Sequence, residues 1–167
     1  MNGLIAFEEH WAIEQTLGHF SEANDPNGNW RDVRRRLLDI HDMRLTDMDR
    51  HGVEMSILSL NSPAIQGILD VGEAVETARV ANDSLAEEVA RRPDRFAGFA
   101  ALPMQTADAA IEELTRCIQD LDFKGAMVNG FTQKDAPNSD LLRHSRIQTV
   151  LGCDGEPGCA ILHAPTA

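Results

Sequence analysis

The sequence predicts an α/β protein with a parallel sheet, and two observations lead there. Short apolar runs at 4–7, 53–60, 95–101 and 123–128 read as strands. Longer segments of helical periodicity separate them, and strands that alternate with helices imply right-handed crossovers between parallel neighbours. In such folds the chemistry gathers at the C-terminal ends of the strands. No glycine fingerprint for a nucleotide follows the first strand, so a (β/α)8 barrel of the TIM type fits better than a doubly wound sheet. A barrel of that kind needs about 250 residues. The chain has 167, so the expectation is the N-terminal half of a barrel, about four β/α units.

The first strand, Leu4 to Phe7, is an apolar run that reads as buried and stops at Glu8, Glu9 and His10. Residues 14–30 hold Gly18, Asn24, Asp25, Pro26, Asn27, Gly28 and Asn29 and read as a long loop, suited to covering a site at the strand end. One helix is expected from Trp30 to Arg50, with Leu37, Leu38, Ile40, Leu45 and Met48 on its buried side and Gly52 as its C-terminal stop. Val53 to Leu60 follows as a strand closed by Asn61-Ser62-Pro63. Glu73 to Arg92 is the clearest helix, because Ala74, Ala78, Ala81, Leu85 and Val89 recur at steps of three and four. Pro93-Asp94 stops it, and Arg95 to Ala101 is the third strand. Thr106 and Asp108 open a helix with Ala110, Leu114, Cys117, Ile118 and Leu121 on its buried stripe. Phe123 to Val128 then delivers Asn129-Gly130-Phe131 to the same sheet edge.

Composition excludes several classes of partner. The formal net charge is −12, and Arg34-Arg35-Arg36 is the sole basic cluster, placed on a helix where it reads as a solvated face. That argues against nucleic acid and against an anionic membrane. No apolar run reaches spanning length and no leader pattern opens the chain, so a cytoplasmic protein is expected. Cys117, Cys153 and Cys159 form an odd count with no disulfide framework, which suits a reducing compartment.

Glu8 and His10 sit two apart, so in extended chain they share one face while Glu9 takes the other. A carboxylate oxygen and an imidazole nitrogen on one face suit a zinc-like or manganese-like divalent cation. The same tripeptide also fits a solvated acidic strand end. Asn61 and Asn129 can hydrogen-bond a substrate, and both equally fit turn chemistry, since Asn-Ser-Pro and Asn-Gly are turn formers. His19 in the loop and His41 in the helix suit surface or packing roles, and His51 suits a contact with the last helical carbonyls.

Taken in order, Ala-Phe-Glu-Glu-His (6–10), Arg36-Leu37-Leu38-Asp39-Ile40 and Met48-Asp49-Arg50-His51-Gly52 resemble the amidohydrolase-related metal-dependent decarboxylases. So do Ile57 to Pro63, Ala81-Asn82-Asp83, Arg92 to Phe96 and Val128-Asn129-Gly130-Phe131. The nearest branch is the hydroxybenzoate decarboxylases, of the γ-resorcylate and 2,3-dihydroxybenzoate kind, and the resemblance spans residues 4 to about 137. It implies a (β/α)8 barrel that assembles as dimers or tetramers, with Glu8 and His10 as metal ligands and no catalytic acid within the matching stretch. The implied cofactor is a divalent metal, zinc first, with manganese or magnesium as alternatives. The implied partner is a small aromatic carboxylic acid, whose carboxylate and ortho-hydroxyl the metal chelates while an acid protonates the ring carbon and CO2 departs. A metal-dependent hydrolase of the same superfamily, acting on a lactone or amide, is the second reading. A non-catalytic fragment is the third.

Residues 1–138 are thus read as a partial barrel and 139–167 as a tail of different character. Periodicity vanishes there, and Cys153-x5-Cys159-x3-His163 matches no zinc spacing. Reverse translation of Arg143 to Thr166, read one base later, permits a Tyr-Arg-Pro-Phe-Trp segment and a strand ending in a histidine across Ala164 and Pro165, both resembling the family's continuation. It also restores tyrosine, absent from the chain as written. The tail is therefore expected to be out of frame and the chain to be a truncated, inactive form.

Overall fold

The structure is a computed structural model and describes residues 3–17 and 28–129, with the backbone of 160–164. The strands are β1 (Leu4–Trp11), β2 (Val53–Leu60), β3 (Phe96–Gly98), β4 (Gly125–Asn129) and β5 (Ala160–Ala164). The helices are α1 (Trp30–Leu38), α2 (Met43–His51), α3 (Val71–Arg91) and α4 (Ala107–Gln119). Among the described residues, no helix is long and apolar enough to cross a membrane.

All ladders are parallel. β1 pairs β2, β2 pairs β3, and β4 pairs β5. The two sheets join at an Ala100–Ala126 bridge, where the Ala100 N–H donates to Gly125 O at 2.9 Å and the Met127 N–H to Ala100 O at 3.2 Å. Each strand therefore lies beside the next one in the chain, without reversal. That sequential order is how a barrel is wound, whereas a doubly wound sheet would turn back on itself.

Alternation along the strands sorts the core into two layers. Leu58 and Leu60 of β2, Phe96 of β3, and Ala126 and Val128 of β4 pack with Ala74, Ala78, Ala81 and Leu85 of α3 and with Leu114 and Cys117 of α4. The intervening residues, Ile57, Ala97 and Met127, join Phe99 in a separate cluster on the opposite, inner face. The helical layer is close-packed. A Cβ at Gly98 would meet Phe123 Cε1 at 2.8 Å and Leu85 Cδ2 at 3.1 Å, so the strand tolerates only glycine where α3 and the Phe123 ring converge.

Several expectations need correction. The Trp30–Arg50 segment is two helices, because the Asp39 carboxylate accepts the backbone N–H groups of Asp42, Met43 and Arg44 at 3.2, 2.9 and 3.4 Å. That side chain supplies acceptors for the first turn of α2 and breaks the ladder of α1. β1 is not buried: Leu4, Ile5 and Phe7 are 60%, 51% and 54% exposed, because β1 ends the described strand order with one edge unpaired. It also runs on through Glu8, Glu9 and His10 to Trp11, since ladder hydrogen bonds with β2 do not depend on side-chain type. Finally, a fifth strand forms at 160–164, within the stretch read as aperiodic, and residues 139–159 and 165–167 lie outside the description.

β3 is also shorter than read, Phe96–Gly98 rather than Arg95 to Ala101, with Ala100 an isolated bridge, whereas the other boundaries hold within two residues. β2 spans the predicted residues, Gly52 ends α2 in the left-handed region at φ 71°, and Thr106 caps α4 by accepting the Ala109 N–H at 3.3 Å. The arginine triplet is a solvated face of α1, paired with Glu14, Asp32 and Asp47. The expected 14–30 loop begins with a 3-10 turn at Glu14–Thr16, and residues 18–27 lie outside the description.

Candidate functional site

Register decides which way the acidic end of β1 faces. His10 is the ladder partner of Ser59, and Ser59 shares the inner face with Ile57 two residues earlier. Glu9 is the partner of Leu58, on the helical face. There Glu9 Oε2 lies 3.2 Å from Arg44 Nη1, while Arg44 Nη2 donates to the backbone oxygen of His10 at 2.6 Å. Burial pulls the Arg44 guanidinium below the ordinary arginine value, against the charges of Glu9 and Asp39. Arg44 thus ties α2 to β1 and takes Glu9 out of consideration as an inner-face ligand.

His10 Nδ1 lies 3.2 Å from the Oγ of buried Ser59. Glu8 is exposed, within the bulged stretch between Ala6 and Glu9, and its carboxylate makes no hydrogen bond or ion pair among the described residues. A carboxylate and an imidazole, exposed and without charged partners, fit two positions of a divalent-cation shell. Among the described residues no group of three or more His, Cys, Asp or Glu side chains forms a metal site. Any further ligands come from elsewhere.

Asn61 follows β2 directly. Its backbone N–H donates to Trp11 O at 2.9 Å, its Nδ2 makes a long 3.5 Å contact with Ser62 O, and its Oδ1 is buried without a partner. Asn129 ends β4 half-buried, with both backbone groups held by the Gln66 side chain, N–H to Oε1 at 2.6 Å and Nε2 to O at 3.2 Å. Trp11 Nε1 and Gln105 Oε1 are likewise buried, and all three atoms lack a partner among the described residues. Trp11, Asn61 and Gln105 sit at or just beyond the C-terminal ends of β1, β2 and β3. Unsatisfied buried polar atoms are costly and rare; Trp11 packs in the helical layer, whereas Asn61 directly follows β2 on the edge where Glu8 and His10 stand.

The other titratable candidates take structural roles. His41 lies in the turn between α1 and α2, not in a helix as expected, with Nε2 2.7 Å from Glu88 Oε2 and its ring edge-on to Phe96. His51 Nδ1 is 2.8 Å from Asp47 O, the helix-end contact anticipated. Cys117 is fully buried, and burial beside Glu113 pushes its thiol far above the ordinary range. His19, Cys153, Cys159 and the side chain of His163 lie outside the described residues. Ser59, Gln66 and Gln105 escape a reading of the sequence, because polar side chains that meet backbone or a neighbouring strand leave no periodic trace.

The amidohydrolase family model matches residues 10–162. Gamma-resorcylate decarboxylase of Rhizobium radiobacter is 58% identical over 134 residues, covering 80% of this chain and 41% of that protein. A solved 2,6-dihydroxybenzoate decarboxylase in complex with 2,6-dihydroxybenzoate superposes with a TM-score of 0.80 at 49% identity, over 90% of this chain and 49% of that one. A dihydroxybenzoic acid decarboxylase from Polaromonas sp. JS666, solved with bound manganese and the inhibitor 2-nitroresorcinol, gives 0.75 at 57% identity, over 80% and 40%. The chain spans about two fifths of the length of the curated relatives it matches.

Proposed function

The chain belongs to the amidohydrolase family, and on that premise we propose that it carries the Glu8–His10 end of a metal-dependent site for non-oxidative decarboxylation of a hydroxybenzoate. The observation behind this reading is the placement of Glu8 and His10 at the C-terminal end of β1, in a chain 58% identical over 134 residues to a gamma-resorcylate decarboxylase. The cation is divalent. Manganese is favoured over zinc, because manganese is what the Polaromonas relative holds.

When bound, the cation supplies charge neutralisation and a fixed orientation for the carboxylate and ortho-hydroxyl of the substrate. Glu8 contributes an oxygen and His10 a nitrogen to hold it, with Ser59 setting the ring of His10. Asn61 Oδ1, buried and without a partner among the described residues, accepts from a substrate hydroxyl, and the Asn129 side chain binds at the end of β4, beyond β3. The inner layer of Ile57, Ala97, Phe99 and Met127 forms an apolar wall that keeps water from the ring. The carbon–carbon bond to the carboxylate breaks, its electron pair takes a proton at the ring carbon, and CO2 leaves. The acid that delivers this proton lies outside the described residues. Dimeric or tetrameric assembly and a cytoplasmic location belong to the same proposal.

The test uses a protein extended to the length of its relatives. CO2 release from 2,6-dihydroxybenzoate and metal content by elemental analysis are measured for the parent, Glu8→Gln and His10→Ala. Loss of cation and turnover together supports the assignment. Full metal occupancy in His10→Ala overturns it.

A further inference from the structure

We infer that Gln66 is a positioning residue, which substitutes for a missing strand and so fixes Asn129 at the candidate site. The inference rests on the proposed reading that Asn129 faces the substrate, and its physical basis lies in the β3–β4 ladder. On β4 the Met127 N–H reaches Ala100 O at 3.2 Å. Two residues on, the backbone of Asn129 looks to the same side. The β3 chain has turned away by then: the Met104 N–H, next in register, donates to Leu102 O at 2.9 Å instead.

The Gln66 carboxamide takes the vacated place. Its Oε1 accepts the Asn129 N–H at 2.6 Å and its Nε2 donates to Asn129 O at 3.2 Å, as a strand peptide would. Gln66 is 5% exposed and rides on the 3-10 turn Ala64–Gly67. That turn is itself clamped, because Gln105 Nε2 donates to both Ile65 O and Ile68 O at 2.7 Å. Two glutamines thus link the segments that follow β2 and β3 to the end of β4, at the edge where the candidate ligands stand.

Amide hydrogen exchange and NMR on the full 167-residue chain test this, with 2,6-dihydroxybenzoate as the binding probe. In Gln66→Met the exchange rate at Asn129 rises roughly tenfold relative to that at Met127, a loss of about one net hydrogen bond. The Asn129 side-chain amide resonances broaden or shift. Global destabilisation would move both amides together and leave the ratio unchanged, and an unchanged ratio overturns the inference. Gln105→Met, which leaves the Asn129 contacts themselves intact, shows the same effect to a smaller degree and serves if Gln66→Met does not fold. For the probe, Gln66→Met combined with Asn129→Ala weakens binding no further than Asn129→Ala alone. Additive losses overturn the route through Asn129. If the parent chain does not bind the probe, the exchange ratio of Asn129 to Met127 alone judges the brace, and the hydroxybenzoate reading is judged on the extended protein.

Discussion

His10 and Ser59 are ladder partners on adjacent parallel strands, and their side chains meet at 3.2 Å through Nδ1 and Oγ on the inner face. A hydrogen bond to one imidazole nitrogen fixes the tautomer and aims the other nitrogen, which is how outer residues tune metal-bound histidines. Ser59→Ala is expected to weaken Mn2+ binding about tenfold, measured by calorimetric titration. Unchanged affinity would mean that Nδ1 itself faces the metal and that the serine contact is incidental.

The helical layer has its own polar centre. Buried Asn82 donates to Ala101 O at 2.9 Å and Glu113 Oε1 at 2.7 Å, and accepts the Ala101 N–H at 2.9 Å. Glu113 is held in turn by Arg116, at 2.7 and 3.0 Å. Asn82→Leu strands a backbone N–H and a carbonyl at once and takes one donor from Glu113 Oε1, which Arg116 still holds, at a cost of about 3 kcal/mol. Urea denaturation checks this. A loss under 1 kcal/mol would mean that water reaches the site and replaces the amide.

Among the described residues β1 presents an unpaired edge together with exposed Leu4, Ile5 and Phe7. Such an edge templates pairing with another chain unless it is charged or covered. The chain expressed as written is expected to self-associate, and Ile5→Lys with Phe7→Lys to reduce that association in sedimentation velocity. A parent that sediments as a single monomer with a sharp thermal transition would show the edge to be adequately protected.

The reading of the tail as out of frame makes a prediction at the level of the gene. Nucleotide sequence through codon 138 and beyond should encode, one base later, a tyrosine-containing segment and a strand ending in histidine. β5 (Ala160–Ala164) falls where the shifted reading places that strand, parallel to β4 with Ala164 opposite Asn129. A stop codon in the shifted frame shortly after residue 139, or a product without family likeness, would end the idea.

Much of the architecture was legible because it rests on local chemistry. The alanine stripe of α3 and the Gly52 stop each need only neighbours in sequence to form, and both appear as read. What escaped depends on distant chain. The apolar start of β1 looks buried until its place at the end of the strand order is known. Asp39 looks like one more polar residue on a long helix until its side chain is seen capping the next one. The candidate ligands Glu8 and His10 stood out because charged groups ending an apolar run are conspicuous. Gln66 and Gln105 did not, since a side-chain amide that imitates a peptide is recognisable only against the backbone it completes.

The strictly sequential strand order has a kinetic consequence. Every ladder closes a loop of a few tens of residues between chain neighbours, so the entropic cost of each closure is similar and none awaits the far end of the sequence. Each β/α unit can dock on the one before it as it emerges from the ribosome. The helical layer would then consolidate from α2 towards α4, and the inner face with its His10 would stay open to solvent while it does so.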